Sequence, residues 1–212
     1  MTRDEIITGV KARMDELTLG EEEAILYVGD NIEKPLYTVI DVIIDECGHD
    51  ILRVAPLHLC PRKSIDPATM TINIKDKVAY IPVPSDFLRL AFIQFINWER
   101  PVTKTITIES LEYLLQKNKF TRGGLSKPVV AITNDSETGE MVLECYTVGD
   151  LTVNDKPILI YVRAVTVEEI GDILLNAVMW HCASKVLNIM ARLNESVAAE
   201  QRATEILKAL MI

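Results

Sequence analysis

The chain has 212 residues, of which 49% are hydrophobic and 25% charged, and it carries a formal net charge of −9. That mixture excludes a chain disordered along its length, which would be poor in apolar residues. It also excludes a membrane-spanning helix, because there is no uncharged apolar run of the roughly 18 or more residues such a helix needs.

The length suits one domain, or one domain with a large insertion. The segment Met1–Leu17 alternates charged with apolar groups and lacks the apolar stretch of a secretion signal, so a soluble, unsecreted protein is expected. Charge is unevenly placed. Residues 1–60 carry 5 basic and 13 acidic groups, whereas residues 61–130 carry 11 basic and 6 acidic. Gripping a nucleic acid backbone needs clustered Lys and Arg, so the whole molecule is a poor candidate for that work. Opposed patches in one chain suit self-association, with an acidic face meeting a basic one. The plainer alternative is a solvated acidic surface that only keeps the protein soluble.

In chain order, Thr2 with Glu5 makes a capping box, and Ile6, Val10, Met14 and Leu17 recur at helical spacing. This predicts a helix over 3–17 that stops near Leu19-Gly20, with Glu21–Glu23 starting a further helical turn. Asp30 or Asn31 can cap the next helix, over 32–54, with Pro35 in its first turn. Its apolar stripe includes Leu36, Ile40, Ile44, Cys47 and Ile51, while Asp41, Asp45 and Glu46 lie opposite and Gly48 is a weak point. Pro56 and Pro61 close the helix.

The middle of the chain is β-rich. Met70–Ile74 and Val78–Ile81 alternate around a Lys75-Asp76-Lys77 turn, a hairpin pattern. Pro82 and Pro84 fix the backbone at a corner, Ser85-Asp86 start a short turn of helix, and Arg89–Asn97 reads as a buried strand. Ser110–Lys119 reads as a helix with Leu111, Leu114 and Leu115 inward. Arg122-Gly123-Gly124 is a loop, and Val129–Ile132, Met141–Tyr146 and Ile158–Val162 are strands, with a polar turn over Asn134–Gly139. Thr166 with Glu169 makes a second capping box, opening a helical pattern that runs to Leu210. Either it breaks near Asn194, or it projects as one long helix to meet another molecule.

The expected fold is therefore α+β: a bundle of N-terminal helices (1–60) and a C-terminal helix (166–212), with an inserted antiparallel β-rich subdomain (61–165).

Reactive groups do not converge in this sequence. Cys47, Cys60, Cys145 and Cys182 are too irregularly spaced for a disulfide framework. Cys47, His49, His58 and Cys60 depart from the spacing of a zinc site and read as buried thiols beside a helix end. His181 and Cys182 read as packing positions. Asp41 and Asp45 share a helix face, but opposite the apolar stripe, where solvation is expected rather than acid–base work. No phosphate-binding glycine loop occurs, and Arg122-Gly123-Gly124 is one RGG-like copy. No catalytic residue, cofactor or metal ligand is expected. Trp98 beside Arg100 is an interface-anchor pair, unless Trp98 only covers the β core and Arg100 is solvated. The interface candidates are Arg89, Trp98, Arg100, Arg122, Trp180, Leu193, Leu207 and Leu210.

The proline corner Tyr80–Leu90 (YIPVPSDFLRL), Trp98-Glu99-Arg100-Pro101-Val102-Thr103, Gly123-Gly124, Lys127-Pro128-Val129, Leu143-Glu144-Cys145-Tyr146 and the helix Asn176–Leu187 (NAVMWHCASKVL) follow one another in that order. In this order and texture the chain, over about residues 30–212, resembles head-to-tail adaptor proteins of tailed bacteriophages. It is most similar to the ring or tail-tube proteins below the portal of short-tailed phages, including crAss-like phages. The resemblance implies a twelve-fold ring on the portal vertex, without enzymatic activity. Such a ring extends the DNA channel, helps retain the genome and presents a platform for the next tail or ring protein. It implies residence in the virion neck after assembly in the host cytoplasm, with no membrane contact and no sequence-specific DNA binding. Pro84, Asp86, Phe87 and Arg89 would form the β-domain corner, Trp98 and Arg100 would lie beside it without a chemical role, and the helix from Thr166 onward would face the portal or a neighbouring subunit. Net acidity is compatible with a DNA channel, because acidic walls repel phosphates and leave the polymer free to slide. The alternatives are another phage assembly or neck factor, or a small α+β ligand-binding domain or enzyme.

Overall fold

The computed structural model describes residues 1–17, 26–27, 33–34, 36–135 and 139–211. Its helices are α1 (Arg3–Leu17), α2 (Leu36–Val54), α3 (Leu111–Lys117), α4 (Asp172–Ile189) and α5 (Leu193–Ala209). Its strands are β1 (Leu26–Tyr27), β2 (Glu33–Lys34), β3 (Arg62–Ser64), β4 (Asn73–Lys75), β5 (Val78–Pro82), β6 (Phe87–Gln94), β7 (Ile106–Thr107), β8 (Val129–Asn134), β9 (Met141–Tyr146) and β10 (Ile158–Arg163). The fold is α+β, with N- and C-terminal helices flanking the sheets. Two compact units result: a helical unit of Met1–Pro61 with Ala164–Ile212, and a β-rich unit of Arg62–Arg163.

In the helical unit the first capping box forms as the sequence suggests. The Thr2 amide donates to Glu5 Oε2 at 2.7 Å, and the Glu5 amide to Thr2 Oγ1 at 3.4 Å. Helix α1 buries Ile6, Ile7, Val10 and Met14. The second helix starts later than residue 32, because Glu33–Lys34 pair with Leu26–Tyr27 as a short antiparallel ladder. The expected cap at Asp30 or Asn31, Pro35 and the expected turn at Glu21–Glu23 lie outside the described residues. Gly48 is not a weak point: α2 runs through it, and a Cβ there would lie 2.8 Å from Ile170 Cδ1, so the missing side chain admits a close neighbour.

The second capping box does not form. The Thr166 side chain makes no cap bond, and it precedes only a short 3₁₀ turn, Val167–Glu169; α4 starts after Gly171. Of the two alternatives for the terminal pattern, the break near Asn194 is the one found, between Ile189 and Leu193, and the single long helix is not. The Arg192 amide bonds Leu187 O at 2.9 Å and the Ala191 amide bonds Asn188 O at 3.0 Å, a Schellman ending with Ala191 at φ +59°. The chain turns back there, and α5 buries Ser196, Ala199, Ala203 and Leu207 as it packs on α4. Helix α4 also packs on α1 and α2, which accounts for its ten buried residues. Because Ala191 carries a Cβ in the left-handed region, Ala191→Gly is expected to stabilise the helical unit by about 0.5–1 kcal/mol. Chemical denaturation would register this as a higher midpoint with unchanged slope.

The β-rich unit has a three-stranded sheet, β3-β10-β6, and a five-stranded sheet, β4-β5-β9-β8-β7. The second is mixed, since β7 runs parallel to β8. Ile81, Leu143 and Cys145 share one core with Ile93, Leu159 and Tyr161 of the other sheet. The hairpin expected at Lys75–Lys77 forms as a two-residue turn with Asp76 and Lys77 at φ +52° and +62°, the pairing geometry that matches strand twist. At the proline corner Ser85-Asp86 is a turn, not a turn of helix: the Phe87 amide bonds Pro84 O at 3.0 Å and β6 begins at once.

Candidate functional site

Helix α3 is capped by Ser110, whose hydroxyl accepts from the Tyr113 amide at 3.2 Å. Its leucines do not point inward. Leu111, Leu114 and Leu115 are 73%, 63% and 44% exposed, while Gln116 is buried and Tyr113 half-buried. The reason lies in the sheet beneath. Val78, Ala131 and Tyr146 form a small cluster there with Tyr80 and Tyr113, and Glu144 is buried beside them. A buried carboxylate demands donors, so the polar side of α3 turns toward it.

Two side chains supply them. The Tyr146 hydroxyl donates to Glu144 Oε2, and Lys117 Nζ donates to the same oxygen at 3.4 Å. Lys117 also sits 4.4 Å from the centre of the Tyr113 ring, which meets Tyr146 edge-on at 6.5 Å. Burial works against the Lys117 ammonium, but hydrogen bonding to Tyr113 and the Glu144 charge outweigh it and raise its pKa. Burial, then the Glu144 hydrogen bond, drive the Tyr146 phenol well above its ordinary value. Gln116 Oε1 accepts from the Gly123 amide at 2.8 Å, where a Cβ would lie 2.6 Å from Lys127 O. The helix is thus bolted to the sheet through polar and aromatic groups, and its aliphatic side is left outward.

Ile108 (52%) and Phe120 (86%), before and after α3 in the chain, are exposed as well. In the same stretch of chain Arg100, Lys104, Lys117, Lys119 and Lys127 are exposed, and residues 100–127 carry six basic and two acidic groups in all.

The sequence-derived interface residues fall into distinct settings. Trp98 is 3% exposed; its ring meets Phe95 edge-on at 5.0 Å and its Nε1 donates to Thr147 O at 3.2 Å. It is a core residue, so no surface anchor is available from it. Arg100 is exposed and donates through Nε to Ser126 O at 2.6 Å, and Asn97 Nδ2 donates to Val148 O at 2.7 Å. The Trp98–Pro101 segment therefore stitches loops of the β unit together. Arg122 donates to Gln116 O at 2.9 Å and to Asp76 O at 3.0 Å, with its guanidinium 5.5 Å from the Tyr146 ring. Arg89 is half-buried on β6. In the helical unit Trp180 is half-buried under the Arg13 guanidinium, Leu193 is 61% exposed, Leu210 is half-buried, and Leu207 is buried and unavailable.

Asp41 and Asp45 are not simply solvated. Arg3 reaches both, donates to Asp41 O at 2.8 Å and lies 3.4 Å from Glu168, while Asp45 Oδ1 accepts the Val167 amide at 2.8 Å. The pair is a clamp that ties α1 and the 3₁₀ turn to α2. Lys185 bridges Glu46 at 3.2 Å and Asp50 at 2.6 Å. Burial acts to raise the Asp50 carboxyl, but Lys185, His181 and Arg53 outweigh it and hold it below the usual range. All four cysteines are buried and free; hydrogen bonding to Cys47, together with burial, raises the Cys182 thiol. His49 contacts Val165 O at 3.0 Å and His58 is exposed. Among the described residues no three His, Cys, Asp or Glu groups stand together as a cation site, and no helix is long and apolar enough to cross a membrane.

An open cleft of about 510 Å³ lies in the β-rich unit between Lys63, Asp66, Thr69 and the proline corner at Pro84. Tyr161, in its wall, donates to Asp86 Oδ1 at 2.7 Å.

The exposed apolar surface that sequence reading misses is the α3 face. Leu111, Leu114 and Leu115 mark one side of a helix, but spacing alone does not say whether that side meets the protein or the outside. The signal was the pairing of a carboxylate, Glu144, with otherwise apolar strand neighbours, which calls for donors from a covering element. No protein-family model matches the chain, and no curated protein is significantly similar to it.

Proposed function

We propose that the chain is a structural connector of a tailed-bacteriophage virion: a subunit of a twelve-fold ring below the portal that joins capsid to tail and lengthens the DNA channel. The observation that carries this reading is the outward leucine face of α3. A short helix held to its sheet by Glu144, Tyr113 and Gln116 leaves three leucines in water, and apolar surface of that kind marks a site that another molecule covers. Charge supports the same reading. Residues 1–61 with 164–212 carry 19 acidic and 9 basic groups, against 12 acidic and 13 basic in residues 62–163. A ring joins two different patches of one subunit, and unlike units supply them. Excess acid also disfavours adhesion to passing DNA. The portal and the next tail protein are the partners, and the virion neck is the location.

Deleting residues 195–212 would uncover the side of α4 that α5 covers, so loss of portal binding would then report unfolding. The better test leaves the bundle whole: co-sedimentation of the full chain with purified portal rings, expected to show saturable capture. Paired Leu193→Ser and Val197→Ser changes on exposed α5 positions (61% and 57%) then probe the terminal helix as a docking face. Absence of capture for the unaltered chain would contradict the connector reading.

A further inference from the structure

We infer that α5 is exchanged between two copies of the chain: the hinge at residues 190–192 opens, and α5 of each copy docks on α4 of the other. The inference concerns the helical unit alone and stands apart from the connector reading. Nothing in the sequence requires the reversal between α4 and α5. No glycine or proline occurs in residues 172–212, and Met190, Ala191 and Arg192 are among the better helix formers. These three residues nevertheless turn the chain back, with Ala191 held at φ +59°, where its Cβ crowds the backbone. Opening the hinge releases that conformation, and a short hinge under strain favours exchange of the element beyond it.

Helix α5 is lightly held. Its buried residues are Ser196, Ala199, Ala203 and Leu207, of which only the last is large, and its main neighbour is α4. It therefore belongs to the elements that detach at low cost. The face it leaves on α4 is polar at two points. Ser184 Oγ donates to Ser196 O at 2.9 Å and lies 3.2 Å from Ser196 Oγ, and His181 Nδ1 meets Glu200 Oε2 at 2.8 Å. Detachment strands these groups. A second copy restores every one of them, because it carries the same helix, and that fixes the occupant. Reciprocal exchange leaves no α4 bare, so assembly closes at two copies. The chain's own α5 competes at an effective concentration on the order of millimolar. Exchange is therefore expected on folding at high protein concentration rather than in dilute solution.

The test is a full-length variant carrying Ser184→Cys and Ser196→Cys, whose thiols replace hydroxyls 3.2 Å apart. It is refolded at high and at low protein concentration and then oxidised with diamide, and peptide mass mapping identifies the 184–196 bond. The closed hairpin forms that bond within one chain. Exchange forms it between two chains, seen at double mass on a denaturing gel without reductant. The double-mass form is expected after refolding at high concentration and not at low. Ala191→Gly relieves the hinge of the closed form. With two hinges counted, it is expected to raise the dimer's dissociation constant roughly five- to thirty-fold. Sedimentation velocity on the chain with its serines intact reads the same shift without relying on the cysteines. A 184–196 bond confined to single chains at both concentrations would overturn the inference. So would a dimer whose amount does not respond to Ala191→Gly. Portal capture is scored separately, and its outcome leaves the exchange unaffected.

Discussion

Trp98→Ala is expected to remove most of the stability of the β-rich unit. The side chain is 3% exposed, packs edge-on against Phe95 and donates to Thr147 O. Truncating a buried Trp or Phe to Ala costs about 3–5 kcal/mol through lost burial and the cavity left behind. The orphaned Thr147 carbonyl adds to that, and whole domains are stable by only about 5–15 kcal/mol. For a unit of this size the thermal midpoint should fall by roughly 15–25 °C. Calorimetry would resolve it, and Trp98→Phe, which keeps the ring packing and loses the hydrogen bond, should cost about 1–2 kcal/mol. An interface anchor would behave in the opposite way, with an unchanged midpoint and lost assembly.

Glu144→Ala is expected to loosen α3 while the sandwich core beneath survives. The carboxylate is 6% exposed and accepts from Tyr146 and Lys117. Its removal leaves a buried phenol without an acceptor and an ammonium without a counter-charge. The cost should be about 2–3 kcal/mol, below that of a fully buried pair, because Lys117 is half exposed and keeps water. Hydrogen exchange should report it as lost protection across Leu111–Lys117, with β5, β8 and β9 still protected. Glu144→Gln retains an acceptor and should lose about half as much. Unaltered exchange in α3 would mean that the helix is held by something other than this cluster.

Much of the architecture was legible in the sequence because local rules and burial agree there. The Thr2–Glu5 box, the Asp76-Lys77 turn and the short apolar runs Val129–Ile132 and Met141–Tyr146 each specify an element without help from distant residues. Three features needed the tertiary structure. The direction of α3 depends on a carboxylate thirty residues further along the chain, and the leucine spacing is the same whichever way the helix faces. The turn between α4 and α5 uses alanine in a left-handed conformation, so no glycine marks it. Thr166-x-x-Glu169 has the letters of a capping box, but the chain bends again at Gly171 before the helix begins. Trp98-Glu99-Arg100-Pro101 reads equally well as an anchor or as a stitch, and only the burial of Trp98 and the Arg100–Ser126 bond choose between them. The terminal apolar stripe, which in the sequence asks for an outside partner, is largely covered by the return of α5. The surface that asks for a partner lies instead on α3.

The ring-subunit account is tested most directly by cryo-microscopy of the full chain mixed with purified portal rings. It predicts a closed collar of added density coaxial with the portal, in which the leucines of α3 are covered. Portal rings without added density, with the chain remaining as separate single copies in the same preparation, would contradict it.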